Sequence, residues 1–471
     1  FPVDLTNLMA EERGLKVDMA GFNRLMEEAR EKARAGGRFS AAAGELAFPP
    51  DAVARLKYLG IEPTDDSEKY SGREIRATVR AIWNGSDFDD SIDSSTGMKP
   101  VAVILDRTPM YAEMGGQVAD TGRLIVTRET LPTSRELDSD KLTASGGEFR
   151  VEHVTASAGY ILHIGRIHKR ELRVGDEVRI TVDATRRAGI SANHTATHLI
   201  NLGLRTVLGG EVNQKGSLVA PDRLRFDFSH SKPVTPEECE RVQTIVQQAV
   251  RQDLPVHTEI VPLDKAKTIP GVRAVFGEAY PDPVRVVSIG RRVDGLLSES
   301  DAKRAMETSA EFCGGTHVAT TGEIQHFVLI SEEAVAKGIR RLSGVTGVPA
   351  QAAIAASENL AQRMKDAERL EGVALQTEVK QLGQDVDQLT LPIPAKNKLR
   401  ATLASLGERV KLATKNASAE RAAAAVARAA AIADSPEFEG TSIVSTIDAG
   451  TDRDAIAAAL NTIRTRKPRS A

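Results

Sequence analysis

Two pairs of potential zinc ligands, far apart in the sequence, restrict what this chain can fold into. His194 and His198 lie in NHTATHL, four residues apart in a stretch with helical spacing of apolar residues, so both imidazoles can share one helix face. Cys313 and His317 lie in EFCGGTHVATTGEI. Zinc takes four ligands at tetrahedral angles and accepts imidazole and thiolate. A fold that joins the two pairs would supply three nitrogens and one sulfur to one ion.

Each pair has an ordinary alternative, because a single His-x-x-x-His or Cys-x-x-x-His is common by chance. Together, beside glycines that let a loop approach an ion, the two pairs favour a metal site. A peptidase is disfavoured, since zincins place a Glu inside the motif as general base, and Thr195, Ala196 and Thr197 fill that gap here. The sequence also has no Gly-x-x-x-x-Gly-Lys-Ser/Thr phosphate loop. The residues therefore indicate a metal without a self-evident base.

Length and composition limit the number of domains and the class of protein. A chain of 471 residues predicts two to four domains. Its 41% hydrophobic and 27% charged residues are typical of soluble globular proteins, and no apolar run approaches the ~18–20 residues of a membrane span. The two cysteines form no disulfide framework, which favours a reducing cytoplasm. The net charge of −3 gives no bulk attraction to nucleic acid, so any RNA contact must use local basic patches.

The pattern of residues predicts an α+β multidomain fold. Helical spacing and a cap at Thr6 indicate a helical segment over 1–65, and short alternating runs indicate a β-barrel-like subdomain over 66–190. Residues 191–348 mix helical and strand patterns. An Ala-rich stretch over 349–436, broken by LPIPAKN, predicts two long helices folded back as a hairpin. Residues 437–471 hold one strand-like piece, TSIVSTID, and one helix, DRDAIAAALNTIRTR.

Three local patterns in 191–348 are specific enough to check. Leu224, Phe226 and Phe228 alternate in RLRFDFS and predict one apolar strand face. Thr235 and Glu238 form a capping box with Pro236 at the first helical position. Cys239 shares a helix face with Val242 and Val246, which favours a core thiol over a metal ligand.

Several stretches resemble one family. HTATHL with CGGTHV resembles the editing domain of alanyl-tRNA synthetases and of the freestanding alanyl-tRNA editing proteins, and threonyl-tRNA synthetases carry a similar domain. RTPMYAEMGGQVADTG at 107–122 and NQKGSLV at 213–219 are similar to further segments of that family. The opening FPVDLT is similar to the end of the synthetase aminoacylation module. The resemblance covers nearly the whole chain.

The resemblance implies the C-terminal portion of an alanyl-tRNA synthetase. Residues 1–65 would end the aminoacylation module, 191–348 would be the zinc-binding editing (deacylase) domain, 349–436 the dimerisation region and 437–471 the truncated start of a C-terminal domain. One zinc per chain would be held by His194, His198, Cys313 and His317. ATP would be used only by an aminoacylation core expected upstream. The implied partners are the acceptor end of tRNA(Ala) and a second copy, bound weakly because of the truncated tail. Neither DNA nor a membrane is expected.

The implied reaction is attack of water on the aminoacyl ester of Ser-tRNA(Ala) or Gly-tRNA(Ala). An added or missing small group changes binding by only ~1–3 kcal/mol, so a pocket for alanine cannot exclude serine or glycine well enough. Four protein ligands would leave zinc no open position, which favours an orienting or structural ion over one that activates water. The sequence leaves both roles open.

Further site residues follow from the same resemblance. Gln214, Gln117 and Thr108 are expected to act in catalysis, with Gln214 holding the water or the ester. Gly115 and Gly116 would let backbone approach the amino acid, and Lys215, Arg340 and Arg341 would contact RNA. The alternatives are a tight turn at the glycines, a solvated loop charge at Lys215 and an ordinary surface at the arginines. Two other functions stay open, a freestanding editing hydrolase and a non-enzymatic, zinc-stabilised RNA-binding module.

Overall fold

The computed structural model describes residues 48–94, 99–127, 147–274, 280–299, 307–436, 445–449 and 452–468, with isolated positions 18, 21 and 46. The chain divides into two compact units. The first comprises 1–202, 213–227 and 249–324, and the second 203–212, 228–248 and 325–471. The helices predicted within 1–47 lie outside the described residues, apart from those isolated positions.

The first unit opens with helix α1, Pro50–Tyr58, and a single 3-10 turn, Ser67–Tyr70. Pro50 occupies the first helical position of α1, where its missing N–H costs no hydrogen bond. The helix buries Ala52 and Leu56 against an apolar cluster that includes Trp83 and Tyr160. The 3-10 turn then leads into the first strand of a barrel.

Six antiparallel strands close into that barrel. Its order is β1-β4-β7-β6-β5-β9, and β9 pairs back onto β1 with Ile75 opposite Ile180. Apolar side chains from all six strands fill the interior, as the alternating runs predict. The β-barrel-like prediction is therefore confirmed. The strands of this region are β1 (Ile75–Trp83), β2 (Phe88–Asp89), β3 (Ser91–Asp93), β4 (Val101–Leu105), β5 (Gly122–Val126), β6 (Glu148–Ser157), β7 (Tyr160–Lys169), β8 (Glu171–Arg173) and β9 (Glu177–Val182).

Helix α2, Ala184–Leu208, follows the barrel directly. Asp183 caps it by accepting from the backbone N–H of Arg186 at 3.0 Å. Residues 190–201 of α2 are buried all round, so this stretch is a core helix rather than a surface one. Strands β10 (Gln214–Val219) and β11 (Leu224–Ser229) come next, and Leu224, Phe226 and Phe228 are all fully buried, as their alternation predicts.

The capping box predicted at Thr235 is confirmed. Helix α3 spans Pro236–Gln252; the Thr235 hydroxyl accepts from the Glu238 N–H at 3.2 Å, and the Glu238 carboxylate accepts from the Thr235 N–H at 2.8 Å. Cys239 is buried with Val242 and Val246, so it is the core thiol that the helical spacing predicts. Burial raises the pKa of Cys239 to about 12, which keeps the thiol neutral.

A three-stranded antiparallel sheet, in the order β12-β13-β14, completes the first unit. Val286 of β13 lies opposite Phe312 of β14, which places the residues after Phe312 beside the start of β13. Apolar side chains of the sheet pack with those of two short helices. These elements are β12 (Val256–Val261), α4 (Leu263–Ala266), β13 (Val284–Ile289), α5 (Val293–Leu297) and β14 (Ser309–Phe312).

The second unit contains the hairpin β15 (Phe327–Ala336) and β16 (Ile339–Thr346), followed by helices α6 (Gly347–Ala367), α7 (Gly372–Gln388) and α8 (Ile393–Ala433). The prediction of two long helices over 349–436 is wrong, because the chain also breaks between α6 and α7. Gly372 takes a φ of +58°, which a continuous right-handed helix cannot contain. Arg409 of α8 then donates to the Glu368 carbonyl at 3.0 Å and satisfies an end group of α6. The break at LPIPAKN is confirmed.

Helix α9, Arg453–Arg466, matches the predicted DRDAIAAALNTIRTR, and the Asp452 side chain caps it. The strand predicted from TSIVSTID is wrong for its described half, because residues 445–449 form no strand. Ile447 and Ala449 instead pack with alanines of α8 and α9. None of the helices in the described part of the chain combines the length and the apolar character that a bilayer crossing requires.

Candidate metal centre

Four side chains of the first unit converge on one point. His194 and His198 project from α2, while Cys313 and His317 follow the end of β14. One ligand atom from each residue lies within 4.8 Å of the others. The Cys313 sulfur is 3.4 Å from Nε2 of His194 and 3.4 Å from Nε2 of His317. The structure thus brings together the two pairs, although 119 residues separate His194 from Cys313.

Burial sets the charge state of these groups. It lowers the pKa of His194 and His317 well below the ordinary range and lowers that of His198 to about 3, so the imidazoles are neutral and keep a lone pair. Burial raises the pKa of the Cys313 thiol to about 11. Neutral imidazoles are the form that binds a metal, and a cation would displace the thiol proton. Nδ1 of His198 is buried without a hydrogen-bond partner among the described residues, as expected for a donor set that fits a metal.

Hydrogen bonds orient two of the histidine rings. Nδ1 of His194 lies 2.7 Å from the Gln117 amide oxygen. The Thr195 hydroxyl donates to the Ser191 carbonyl at 3.0 Å, so its oxygen accepts from Nδ1 of His317 at 3.1 Å. Both rings therefore carry their proton on Nδ1 and present the Nε2 lone pair towards Cys313. Such outer partners fix the tautomer and the orientation of metal-binding histidines.

A carboxylate lies beside the third ring. Oε2 of Glu311 is 3.7 Å from Nε2 of His198, and its other oxygen accepts from the Asn201 side chain at 2.8 Å. All three of these side chains are buried. Glu311 therefore brings negative charge to the edge of the cluster, and the Asn201 amide holds that carboxylate in place.

The cluster forms one wall of a cavity of about 290 Å³. Gln214 and Gly115 line it with His194, His198 and Cys313. Gly115 and Gly116 have φ values of +61° and +83°, and a Cβ on Gly116 would come within 2.6 Å of the Ser217 carbonyl oxygen. The remaining walls combine apolar and polar side chains, namely Tyr111, Met114, Thr197, Ser217, Tyr280, Pro281, Val284, Arg285, Glu311, Phe312, Gly314 and Gly315.

Six other predicted site residues are not among those that line the cavity, namely Gly116, Thr108, Lys215, Arg340, Arg341 and Gln117. The Thr108 hydroxyl is buried beside Nε2 of His163 at 2.7 Å and accepts from the Met110 N–H. Lys215 is exposed on β10. Arg340 and Arg341 lie on β16 of the second unit, where Arg340 pairs with Glu332 through Nε at 2.7 Å and Nη2 at 2.6 Å. Gln117 is fully buried behind His194 rather than exposed to the cavity.

Sequence reasoning missed four residues of the site, Thr195, Glu311, Tyr70 and Arg285. Thr195 lies inside the HTATH motif, three residues before His198. Residues at i and i+3 share a helix face, so this spacing could have indicated that Thr195 faces the site. Glu311 lies on β14, two residues before Cys313, and carried no pattern of its own. Tyr70 and Arg285 are brought to the cluster only by tertiary packing.

Comparisons with known proteins give a consistent family. The model of class II (A) tRNA synthetases matches residues 1–186. The model of the threonyl and alanyl tRNA synthetase second additional domain matches 284–343, which includes Cys313 and His317. The model of the alanine–tRNA ligase domain matches 350–413. The three matches follow one another along the chain without overlap.

Individual relatives agree with the family models. The chain is 43% identical over 416 residues to the alanine–tRNA ligase of Candida albicans, covering 87% of this chain and 41% of the relative. It is 39% identical over 401 residues to the mitochondrial alanine–tRNA ligase of Saccharomyces cerevisiae, covering 85% and 39%. The cytoplasmic alanine–tRNA ligase of Drosophila melanogaster is 34% identical over 489 residues, covering 100% and 49%. The chain thus spans less than half the length of these relatives.

The matched models place the chain among the class II tRNA synthetases, with the second additional domain of threonyl and alanyl tRNA synthetases over 284–343. Within that class, the chain belongs to the alanyl-tRNA synthetase family.

Proposed function

We propose that this chain carries the editing site of an alanine–tRNA ligase and hydrolyses Ser-tRNA(Ala) and Gly-tRNA(Ala). The observation that supports this most directly is the convergence of His194, His198, Cys313 and His317, the first three of which line a cavity of about 290 Å³. That volume is near the lower end of the range for small-molecule sites and is enough for an aminoacyl ester. The match to the second additional domain of threonyl and alanyl tRNA synthetases supports the same assignment.

Zinc is the metal that this donor set favours. Zinc accepts imidazole and thiolate ligands at tetrahedral angles, and the cluster supplies three imidazoles and one thiolate. When bound by all four side chains, zinc would have no open position for the ester oxygen, so its role would be to hold the ligands and orient the cavity wall on which the ester lies. The neutral imidazoles and the ring orientations set by Gln117 and Thr195 suit that role. Gln117, expected to act in catalysis, is therefore proposed as a positioning residue for His194.

The polar groups on the cavity wall would act on the substrate itself. Gln214 stands at the start of β10 and lines the cavity, so its amide can hold the ester or the attacking water by hydrogen bonds. Gly115 leaves room for the amino acid beside the ligands. Lys215 points to solvent next to Gln214 and can meet a phosphate of the tRNA acceptor end. Contact of Arg340 and Arg341 with RNA stays a prediction.

The parent protein would attach alanine to tRNA(Ala) with ATP and remove its own errors at this site. A pocket that separates alanine from serine or glycine by only ~1–3 kcal/mol would often attach the wrong amino acid, so a second site must hydrolyse the mischarged tRNA. Dimerisation through the helices of 349–436 and a cytoplasmic location also stay predictions, as do the domain boundaries drawn from the sequence.

The deciding experiment is a deacylation assay on the full chain with Ser-tRNA(Ala), Gly-tRNA(Ala) and Ala-tRNA(Ala). We expect about one zinc per chain, to match the one four-ligand set found among the described residues, and hydrolysis of the first two substrates that stops after chelation and returns with zinc. The double variant His194→Ala, His198→Ala should lose both zinc and hydrolysis. His230→Ala, His257→Ala, at two histidines outside the cluster, is the matched control.

The outcomes separate the competing functions. Tight binding of tRNA(Ala) with a full complement of zinc and no hydrolysis of any ester would favour a non-enzymatic RNA-binding module. Full zinc content in the His194→Ala, His198→Ala variant would rule out the metal site as drawn. A freestanding editing hydrolase would give the same hydrolysis, so the sequence of the gene upstream of FPVDLT distinguishes it.

A further inference from the structure

The loop that carries Cys313 is held from outside by two side chains. Nη1 of Arg285 donates to the carbonyl oxygen of Cys313 at 2.8 Å and to that of Gly315 at 2.9 Å. The Tyr70 hydroxyl donates to the carbonyl oxygen of Gly314, between them, at 2.7 Å. Three successive carbonyls of the loop are thus bound by side chains that lie far from it in sequence.

The two side chains also contact each other. The guanidinium carbon of Arg285 lies 4.1 Å from the centroid of the Tyr70 ring, a stacked cation–π arrangement. Tyr70 ends the 3-10 turn that precedes the barrel, and Arg285 lies near the start of β13. The Arg285 carbonyl accepts from the Cys313 N–H at 3.1 Å. The loop therefore contacts both the backbone and the side chain of Arg285.

A Cys-Gly-Gly loop needs such support to be ordered. Glycine loses more conformational freedom on folding than any other residue, so fixing two successive glycines has a high cost in backbone entropy. The position of the loop decides where the Cys313 sulfur lies relative to His194 and His317, both 3.4 Å away. A planar guanidinium can donate to two carbonyls while its face stacks on a ring, which a lysine ammonium cannot do.

We propose that Tyr70 and Arg285 form a clamp that fixes the Cys313–Gly315 loop and so holds the Cys313 sulfur at the ligand cluster. Both are positioning residues. The effect of the clamp on ester hydrolysis rests on the proposed function, whereas its effect on the Cys313 sulfur does not. Its direct consequences are slow loss of zinc and a restrained Cys313 thiol in the metal-free protein.

The test compares Arg285→Met and Tyr70→Phe with two matched controls in the full chain. Arg285→Met removes the donors and the charge but keeps a long side chain, and Tyr70→Phe removes only the hydroxyl. The controls are Arg76→Met and Tyr58→Phe, both at exposed positions in the same unit. Zinc dissociation is followed with a chromophoric chelator, and iodoacetamide labelling of Cys313 in metal-free protein is followed by peptide mass spectrometry. The buried Cys239 is the internal reference.

We expect Arg285→Met to speed zinc dissociation by about 10-fold or more, the effect typical of losing an outer partner of a metal ligand. Cys313 labelling should also become faster relative to Cys239. Tyr70→Phe should shift both rates in the same direction by a smaller factor, and the controls should match the wild type. Arg285→Lys should recover little, because it keeps the charge but lacks the planar group that stacks on the Tyr70 ring.

Unchanged zinc dissociation and unchanged Cys313 labelling in both clamp variants would overturn the proposal. A raised KM for Ser-tRNA(Ala) with both rates unchanged would also overturn it and would mark Arg285 as a substrate contact instead. If Arg285→Met fails to fold, Tyr70→Phe decides the question. If the wild type hydrolyses no ester, the proposed function fails, while the two rates still decide whether the clamp exists.

Discussion

The amide oxygen of Gln117 lies 2.7 Å from Nδ1 of His194 and 2.9 Å from the backbone nitrogen of Thr316, so one oxygen joins a ring on α2 to the loop after β14. The amide nitrogen donates to the Thr316 hydroxyl at 3.0 Å. All three residues are buried. The Gln117 amide therefore contacts both segments that carry the ligands: the His194 ring on α2 and, in the loop after β14, the residue next to His317.

Gln117→Leu should weaken zinc binding by about 10–100-fold, because Nδ1 of His194 loses its acceptor inside a buried site. Gln117→Glu keeps an acceptor and should recover part of that loss. A chelator competition titration measures the affinity, with the exposed Gln362→Leu as control. Equal affinities in Gln117→Leu and the wild type would show that the amide does not position His194.

The two cysteines should respond in opposite ways to replacement by alanine. Cys313→Ala removes the only anionic ligand of the set, so zinc content and hydrolysis of Ser-tRNA(Ala) should fall together. Cys239→Ala removes a buried sulfur beside Val242 and Val246, which should cost on the order of 1 kcal/mol of unfolding free energy while zinc is retained. Metal analysis and urea unfolding separate the two effects. Wild-type hydrolysis by zinc-free Cys313→Ala would show that the metal takes no part in the chemistry.

His163 should make the metal-free protein less stable as the pH falls. Nδ1 of His163 donates to the Val103 carbonyl and Nε2 accepts from Thr108, while burial lowers the pKa of the ring to about 4. The unfolded chain therefore binds this proton first, so the contribution is complete above pH 6.5 and is lost as the pH falls towards 4. The difference from the ordinary value of 6.5 is worth on the order of 3 kcal/mol.

The measurement is urea unfolding of wild type and His163→Gln at pH 7.5, 5.5 and 4.5 with a chelator present. We expect the stability advantage of the wild type to shrink with each step down in pH. His168→Gln, at an exposed position on the same strand, is the control for the loss of a histidine side chain. A constant difference for His163→Gln would show that this ring does not titrate in the expected range.

Ile456 and Leu460 should extend the dimer interface expected over 349–436 onto α9. They lie four residues apart on one face of α9 and are 41% and 50% exposed. Burying one such side chain is worth ~1.5–3 kcal/mol, so Ile456→Lys, Leu460→Lys should weaken self-association by at least about 10-fold. Sedimentation velocity over a concentration series measures this. Ala457→Lys, Asn461→Lys adds the same charge beside that face and should leave the dimer intact; equal losses in both variants would exclude a specific role for this face.

Local sequence patterns correctly predicted the elements whose structure depends on residues close together in the chain. The i, i+4 spacing of His194 and His198, the capping box at Thr235 and the alternation at Phe226 and Phe228 each describe one element, and the structure contains each element. The break between α6 and α7 was missed because Gly372 is only one of several glycines in helical stretches, and its left-handed φ has no sequence pattern of its own.

The spacing of residues within a segment could not predict which distant segments contact each other. The HTATH and CGGTH segments were paired because zinc needs four ligands, and the family resemblance supported that pairing, since nothing in the spacing of either segment identifies the other. Tyr70 reaches a carbonyl 244 residues away, so no local pattern could assign it to the site. Thr108 was expected in catalysis because it lies near the GGQ segment, yet its side chain turns towards His163 inside the barrel.

The distance along the chain between the two ligand pairs gives a bound ion a mechanical role. An ion that joins His194 to Cys313 closes a loop of 119 residues, as a covalent cross-link would. By the chain-entropy relation, a closure of about 100 residues removes entropy from the denatured ensemble worth about 5 kcal/mol, which is comparable to the whole stability of a small domain. Loss of the ion would therefore loosen the attachment of α2 to the β12–β14 sheet. Depletion of zinc should expose α2 and that sheet to proteolysis before it alters the barrel.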